Sequence, residues 1–229
     1  MKTILVLDTA TEACSVALLH QNQTTFLNEL SPRTHTQRIL PMVDELLSQA
    51  NIRLKQVDAL AFGRGPGSFT GVRVGVSVAQ GLALGANLPV IPISNLLAMA
   101  EEAYQTLGAK EVVALIDARM NEVYFAQYRR QPNGWQEIVA EQVCSPERAI
   151  EQIQLEQKPI VVGTGWNAHL QIFTEKLPLV ASNITLPSAK FMLPLAQQAL
   201  EEGKTQSALE IEPVYLRNEV TWQKLPHKR

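Results

Sequence analysis

The chain has 229 residues, 46% hydrophobic and 18% charged, with a formal net charge of −2. That is enough for one large domain or two of ordinary size. It argues against a protein that holds nucleic acid unaided, because phosphate contacts call for a basic surplus, so any RNA role would need a partner.

The opening MKTILVLDTATEACSVALL carries one lysine and a short apolar run that Asp8 and Glu12 interrupt. It therefore fits neither a secretory leader nor a membrane span of roughly 20 residues, and a cytoplasmic location is expected. Cys14 and Cys144 have no metal or redox spacing and read as small buried hydrophobes.

Two apolar runs around a polar turn, residues 3–20, predict a hairpin, and TTFLNEL a third strand. Ile39, Val43, Leu46 and Ala50 recur at helical spacing, which predicts an amphipathic helix over about 35–50. VDALAFG reads as a short buried strand. The glycine-dense GRGPGSFTGVRVG follows, then a helix from about Gly71 to Ala86, with Ser68 or Thr70 as its cap and Asn87 and Pro89 at its end. PVIPIS is another short strand.

The same order then returns. EVVALIDARMNEVYFAQY predicts a hairpin with Asp117 where Asp8 stands in the first, and WQEIVAEQVC a third strand. SPERAIEQI starts a helix with a serine cap and a proline at its first position, and KPIVVGTGW runs from a buried strand into a glycine turn. The expectation is two related α/β subdomains, residues 1–100 and 101–229.

The glycine stretch lacks the lysine and Ser/Thr of a P-loop, since Val72 and Arg73 follow Gly71. A dinucleotide fingerprint starting at Gly63 would need glycine where Ser68 stands. It still joins a strand to a helix start, where backbone N–H groups can face an anion, so a tight structural turn and an anion cradle both stay open. The helix after it, GVRVGVSVAQGLALGA, is apolar nearly all round and must be covered on both sides. Its glycines each cost ~1 kcal/mol relative to Ala, which suggests close backbone approach to a neighbour, either inside the monomer or on a second chain.

Catalytic constellations are missing from the sequence. His20, His35, His169 and His227 never pair at metal spacing, and there is no H-E-x-x-H, G-x-S-x-G or C-x-x-C. His35 reads as a surface or capping side chain. Asp8 and Asp117 suit turn hydrogen bonding, with Arg119 and Glu122 forming a polar rim beside Asp117. The C-terminal PVYLRNEVTWQKLPHKR is basic at its tip (Lys224, Lys228, Arg229), while Tyr215 and Trp222 suggest that part of it packs.

Together, ILVLDTATEACSVAL, HTQRILPMVDELL, AFGRGPGSFTGVRVGVSVAQGLA, LIDARMNEVYFA and PVYLR resemble the bacterial TsaB (YeaZ) family over nearly the whole chain. That resemblance implies the ASKHA fold, the duplicated architecture of actin, hexokinase and the Hsp70 ATPase. It implies a non-catalytic paralogue of TsaD, the subunit that transfers threonylcarbamoyl to the tRNA adenosine beside the anticodon. It also implies pairing with TsaD through helices of the first half, the ATPase TsaE as a further partner, a homodimer when alone, and tRNA contact only within the complex. No cofactor of its own is implied; ATP is used by the partners. The catalytic paralogue carries H-M-E-G-H after the short strand, whereas this chain has NLLAMA, Asn95 to Ala100, without those metal-holding histidines.

On this basis the expected partner face is Ile39, Leu40, Val43, Leu46 and Leu47 with Gly71, Val72, Gly75, Val76, Ala79 and Ala83. The loop Gly63, Arg64, Gly65, Pro66 and Gly67 is expected to shape it. Gly75→Leu or Val76→Glu should then abolish pairing while the monomer stays folded. A stand-alone ATP-binding kinase or ATPase built around Asp8 and the loop is the alternative; a metalloprotease and a pure scaffold are weaker readings.

Overall fold

The computed structural model describes residues 1–217. In the first half, strands β1 (Ile4–Asp8), β2 (Ala13–His20) and β3 (Gln23–Leu30) form an antiparallel meander. Helix α1 (His35–Gln49) leads to β4 (Ala59–Gly63), parallel to β1, and α2 (Phe69–Ala86) leads to β5 (Val90–Ile93), parallel to β4. The sheet order is β3-β2-β1-β4-β5.

The second half repeats the plan. After α3 (Asn95–Leu107), strands β6 (Glu111–Arg119), β7 (Glu122–Gln131) and β8 (Gly134–Cys144) form the meander. Helix α4 (Pro146–Gln152) precedes β9 (Ile160–Val162), parallel to β6, giving the order β8-β7-β6-β9. The counterpart of β5 has shrunk to one parallel bridge, Val161 to Ala181. Helices α5 (Thr164–Ala168) and α6 (Leu170–Lys176) stand where the first half has the single long α2, and α7 (Ala189–Glu201) follows.

Side-chain alternation along the strands assigns a layer to each face. Leu5, Leu7, Leu60 and Phe62 share a core with α1 and α2, while Ile4, Val6, Ala59 and Ala61 pack on Met192 and Ala196 of α7. In the second sheet, Val112, Ala114 and Ile116 face Met99 and Ala103 of α3, and Val113 and Leu115 face Trp166 and Phe173. Each half's last helix therefore covers the other half's sheet, and α3 and α7 make a middle layer between the two sheets, whose central strands are buried on both faces. A division at residue 100 would place α7 in the second subdomain, but its buried face lies on the first sheet. Two α/β sheets of matching order are the duplicated ASKHA plan.

Local signals set the helix starts. The hydroxyls of Ser68, Ser94 and Ser145 accept from Gly71, Leu97 and Arg148 N–H, at the starts of α2, α3 and α4. Asn87 ends α2 in the left-handed conformation. No helix among the described residues is long and apolar enough to cross a membrane.

Candidate functional site

The glycine loop, Gly63 to Gly67, is closed in on itself. Arg64 N–H donates to the Ile93 carbonyl (2.9 Å), Gly65 N–H to Asn95 Oδ1 (2.8 Å) and Ser68 N–H to the Ala10 carbonyl (2.7 Å). Gly71 N–H donates to Ser68 Oγ, and Pro66, after a cis bond, has no N–H. A phosphate cradle needs such donors free and aimed outward, and here most are satisfied by the chain's own acceptors. The tight-turn reading of the stretch is the one this geometry supports.

Beneath the loop lies Asp8, fully buried. Its Oδ1 accepts from Asn95 Nδ2 (2.9 Å) and Ala10 N–H (3.2 Å), and its Oδ2 has no partner among the described residues. Burial pushes its pKa up to about 6, against the lowering influence of Asn95, the Ala10 and Thr9 N–H groups and His35. A Cβ on Gly63 would collide with this carboxylate, so glycine lets β4 pass over it. Asp8 is thus enclosed by the described residues. Asp117 stays partly exposed and accepts from Arg119 N–H (3.1 Å), a turn bond. His35 is half-buried and donates from Nε2 to the Thr11 carbonyl (2.6 Å), which ties α1 to the β1–β2 turn. No group of three His, Cys, Asp or Glu among the described residues could hold a metal ion.

Sequence reasoning took Asn95 only as the first residue of a segment without histidines. It is fully buried and links Asp8 to the glycine loop. The available signal was an amide directly after a serine cap, followed by the apolar run Leu96 to Ala100. Arg64 reaches across the halves to Glu141 (3.0 Å), which also accepts from Ser94 Oγ and from Tyr128 O–H (2.9 Å). This node lines a cavity of about 250 Å³ with Leu97, Trp135 and Glu137.

Most of the expected partner face is buried within the chain itself. Ile39, Val43, Leu46 and Leu47 of α1, and Val76, Ala79 and Ala83 of α2, are buried in one core with Leu5, Leu7 and Phe62 of the chain's own sheet. Val72 is 4% exposed. Gly71 and Gly75 do allow close approach, but to Thr9 of the same chain. A Cβ on Gly75 would lie 2.9 Å from Thr9 Oγ1, and that hydroxyl donates to the Gly71 carbonyl (2.7 Å). The periodic apolar set marks the face a helix turns to its own sheet. Of the expected α1 contacts only Leu40, 48% exposed, faces outward.

What α2 leaves outside is a second stripe: Thr70, Val74, Ser77, Gly81, Leu84 and Gly85, one helical face of small and apolar residues. Leu84 is 52% exposed, and apart from the helix's own backbone no atom of the described residues lies within 4 Å of where a Cβ would stand on Gly81 or Gly85. Nothing among the described residues requires glycine at either position.

Comparison with known proteins bears on this geometry. The family model described as TsaD, tRNA N6-adenosine threonylcarbamoyltransferase, matches residues 12–225. A tRNA threonylcarbamoyladenosine biosynthesis protein TsaB of Haemophilus influenzae is 61% identical over 98% of this chain and 97% of its own length. Its namesake in Escherichia coli is 52% identical over 98% and 99%. A solved structure titled YeaZ from Pseudomonas aeruginosa superposes with a TM-score of 0.86 at 44% identity, over 94% of this chain and all of that one. At these identities and spans, the chain belongs to the TsaB (YeaZ) family.

Proposed function

We propose that this chain works in tRNA threonylcarbamoyladenosine biosynthesis as a non-catalytic subunit. It binds and supports a TsaD-like transferase in the cytoplasm, together with a TsaE-like ATPase, and it meets tRNA only within that complex. It needs no cofactor of its own, and alone it pairs with a second copy. The names of its relatives support the pathway. Support for the silent role comes from the occupied loop donors and the enclosed Asp8.

The observation that carries the partner role is the outward stripe of α2. Two glycines of α2, of which the interior Gly81 costs ~1 kcal/mol relative to alanine, have no compensating contact among the described residues. A partner helix lying against Gly81 and Gly85 supplies one, and Leu40, Val74 and Leu84 add apolar area around it. Calorimetric titration of the transferase subunit tests this with Gly81→Leu. The variant should stay folded, because the position is open, and should lose binding at least tenfold; unchanged affinity sinks this face as the docking site. Role is tested by reconstituting threonylcarbamoyl transfer with one protein omitted at a time. Product is expected only with this chain present, and none from this chain without the transferase.

A further inference from the structure

The segment after α7 crosses the molecule as a strap, and its two ends are held very differently. At the near end, Gln206 and Val90 exchange both backbone bonds (2.9 and 3.0 Å), Gln80 Nε2 donates to the Ala208 carbonyl (2.9 Å), and Ala208 and Ile211 are buried in the first core. The far end passes over the glycine loop, where Val214 N–H donates to the Arg64 carbonyl at 3.3 Å. Tyr215, 50% exposed, then faces the Arg73 guanidinium (4.8 Å), whose other neighbour is the Phe69 ring (3.2 Å).

The last described residue, Arg217, reaches the second half. It pairs with Glu122 and donates to the Ala118 carbonyl (3.2 Å) and Met120 Sδ (2.8 Å), all at the β6–β7 turn. Its Nε is buried without a partner among the described residues.

We infer that residues 212–217 are a releasable clasp between the halves, and that the transferase subunit, by covering the outward stripe of α2 along its length from Thr70 to Gly85, is thermodynamically linked to its closure. The physical reason is that one short segment serves both surfaces. Arg217 fixes the segment to the β6–β7 turn, and two residues earlier Tyr215 completes the Phe69–Arg73–Tyr215 stack beside the outward stripe of α2. A partner seated on that stripe meets a different surface when the clasp is closed and when it is open. Differential contact of that kind is what links two sites, and the linkage is reciprocal. The ion pair is the part of the hold that a single charge change removes. The deeply packed near end remains as the anchor, so opening is local and does not unfold the chain.

The partner half of this inference rests on the docking surface proposed above, so the test separates the two. Hydrogen exchange on the full chain would follow Val214 N–H and, as an internal control, the Gln206–Val90 pair, in wild type, Arg217→Ala, Glu122→Gln and the charge swap Glu122→Arg with Arg217→Glu. The clasp requires Val214 exchange to rise about tenfold in both single variants, with Gln206 unchanged and protection returning in the swap. Unchanged Val214 exchange, or equal acceleration at Gln206, overturns it. Titration with the transferase subunit should then show affinity falling about tenfold in the single variants, within the usual range of coupling between sites. Faster exchange with unaltered affinity overturns the linkage while the clasp stands. Failure of the Gly81→Leu test would overturn the docking face without touching the exchange result.

Discussion

Helix α2 carries two glycines packed against its own chain and two that are open, for opposite reasons. On the inner face, Gly71 and Gly75 press against Thr9, where a side chain has no room. On the outer face, Gly81 and Gly85 look into open space. A sequence records four glycines in one apolar helix and cannot say which are required by the chain's own fold. The difference teaches that close approach within the monomer has to be subtracted before small residues are assigned to a partner.

The inner face offers the largest effect. Gly75→Leu drives a branched side chain into the Thr9 hydroxyl, and overpacking of that kind costs about 3 kcal/mol. For a chain of this size the melting temperature should drop by about 6–12 °C. Thermal unfolding measures it, and a melting point equal to wild type would show that α2 can shift outward freely. The consequence for binding reverses the sequence-based expectation: loss of pairing in this variant would report a damaged monomer, so it cannot serve as an interface test.

The node under the glycine loop gives the next effect, and it depends on pH. Burial raises the Asp8 pKa in the folded chain to about 6, against an ordinary value of 3.8. Between those values the folded chain binds more protons than the unfolded one, so this group's contribution to stability is fullest below pH 4. It is lost as pH rises through 6, by about 3 kcal/mol in all. Asp8→Asn cannot titrate. Whatever its constant offset, its stability relative to wild type should therefore climb between pH 4 and pH 7 and level off above. Urea unfolding at several pH values measures the slope; a flat difference would mean that Asp8 is solvated or paired in the folded chain.

Much of this fold was legible in the sequence. Both meanders, the helix after each and the serine caps of α2 and α4 follow from period-2 and period-3.6 patterns and local turn chemistry, which act over a few residues. Three features were not legible. The placement of α3 and α7 on each other's sheets is a choice between two apolar surfaces of similar pattern. The role of Asn95 depends on Asp8 and Gly65, distant in sequence and brought together by the strand crossings. The burial of Ile39, Val43, Val76 and Ala79 could not be told from exposure to a partner, since both demand the same residue types. Tyr215 was read as packing and lies against Arg73; Trp222, Lys224, Lys228 and Arg229 fall outside the described residues.

The smallest predicted effect isolates the outer face most cleanly. Gly81→Ala adds one methyl group where, apart from the helix's own backbone, nothing among the described residues lies within 4 Å, in the interior of an 18-residue helix. Alanine is favoured over glycine there by about 1 kcal/mol, so the isolated chain should become more stable, with a melting temperature higher by roughly 2–4 °C. Against a closely packed partner helix the same methyl group has to be accommodated, and affinity should fall. A gain in stability together with weaker pairing is the signature of a glycine kept for a neighbour outside the chain. A gain in both would leave the outer glycines with no role in docking, and the contrast between the two faces of α2 would then be one of packing alone.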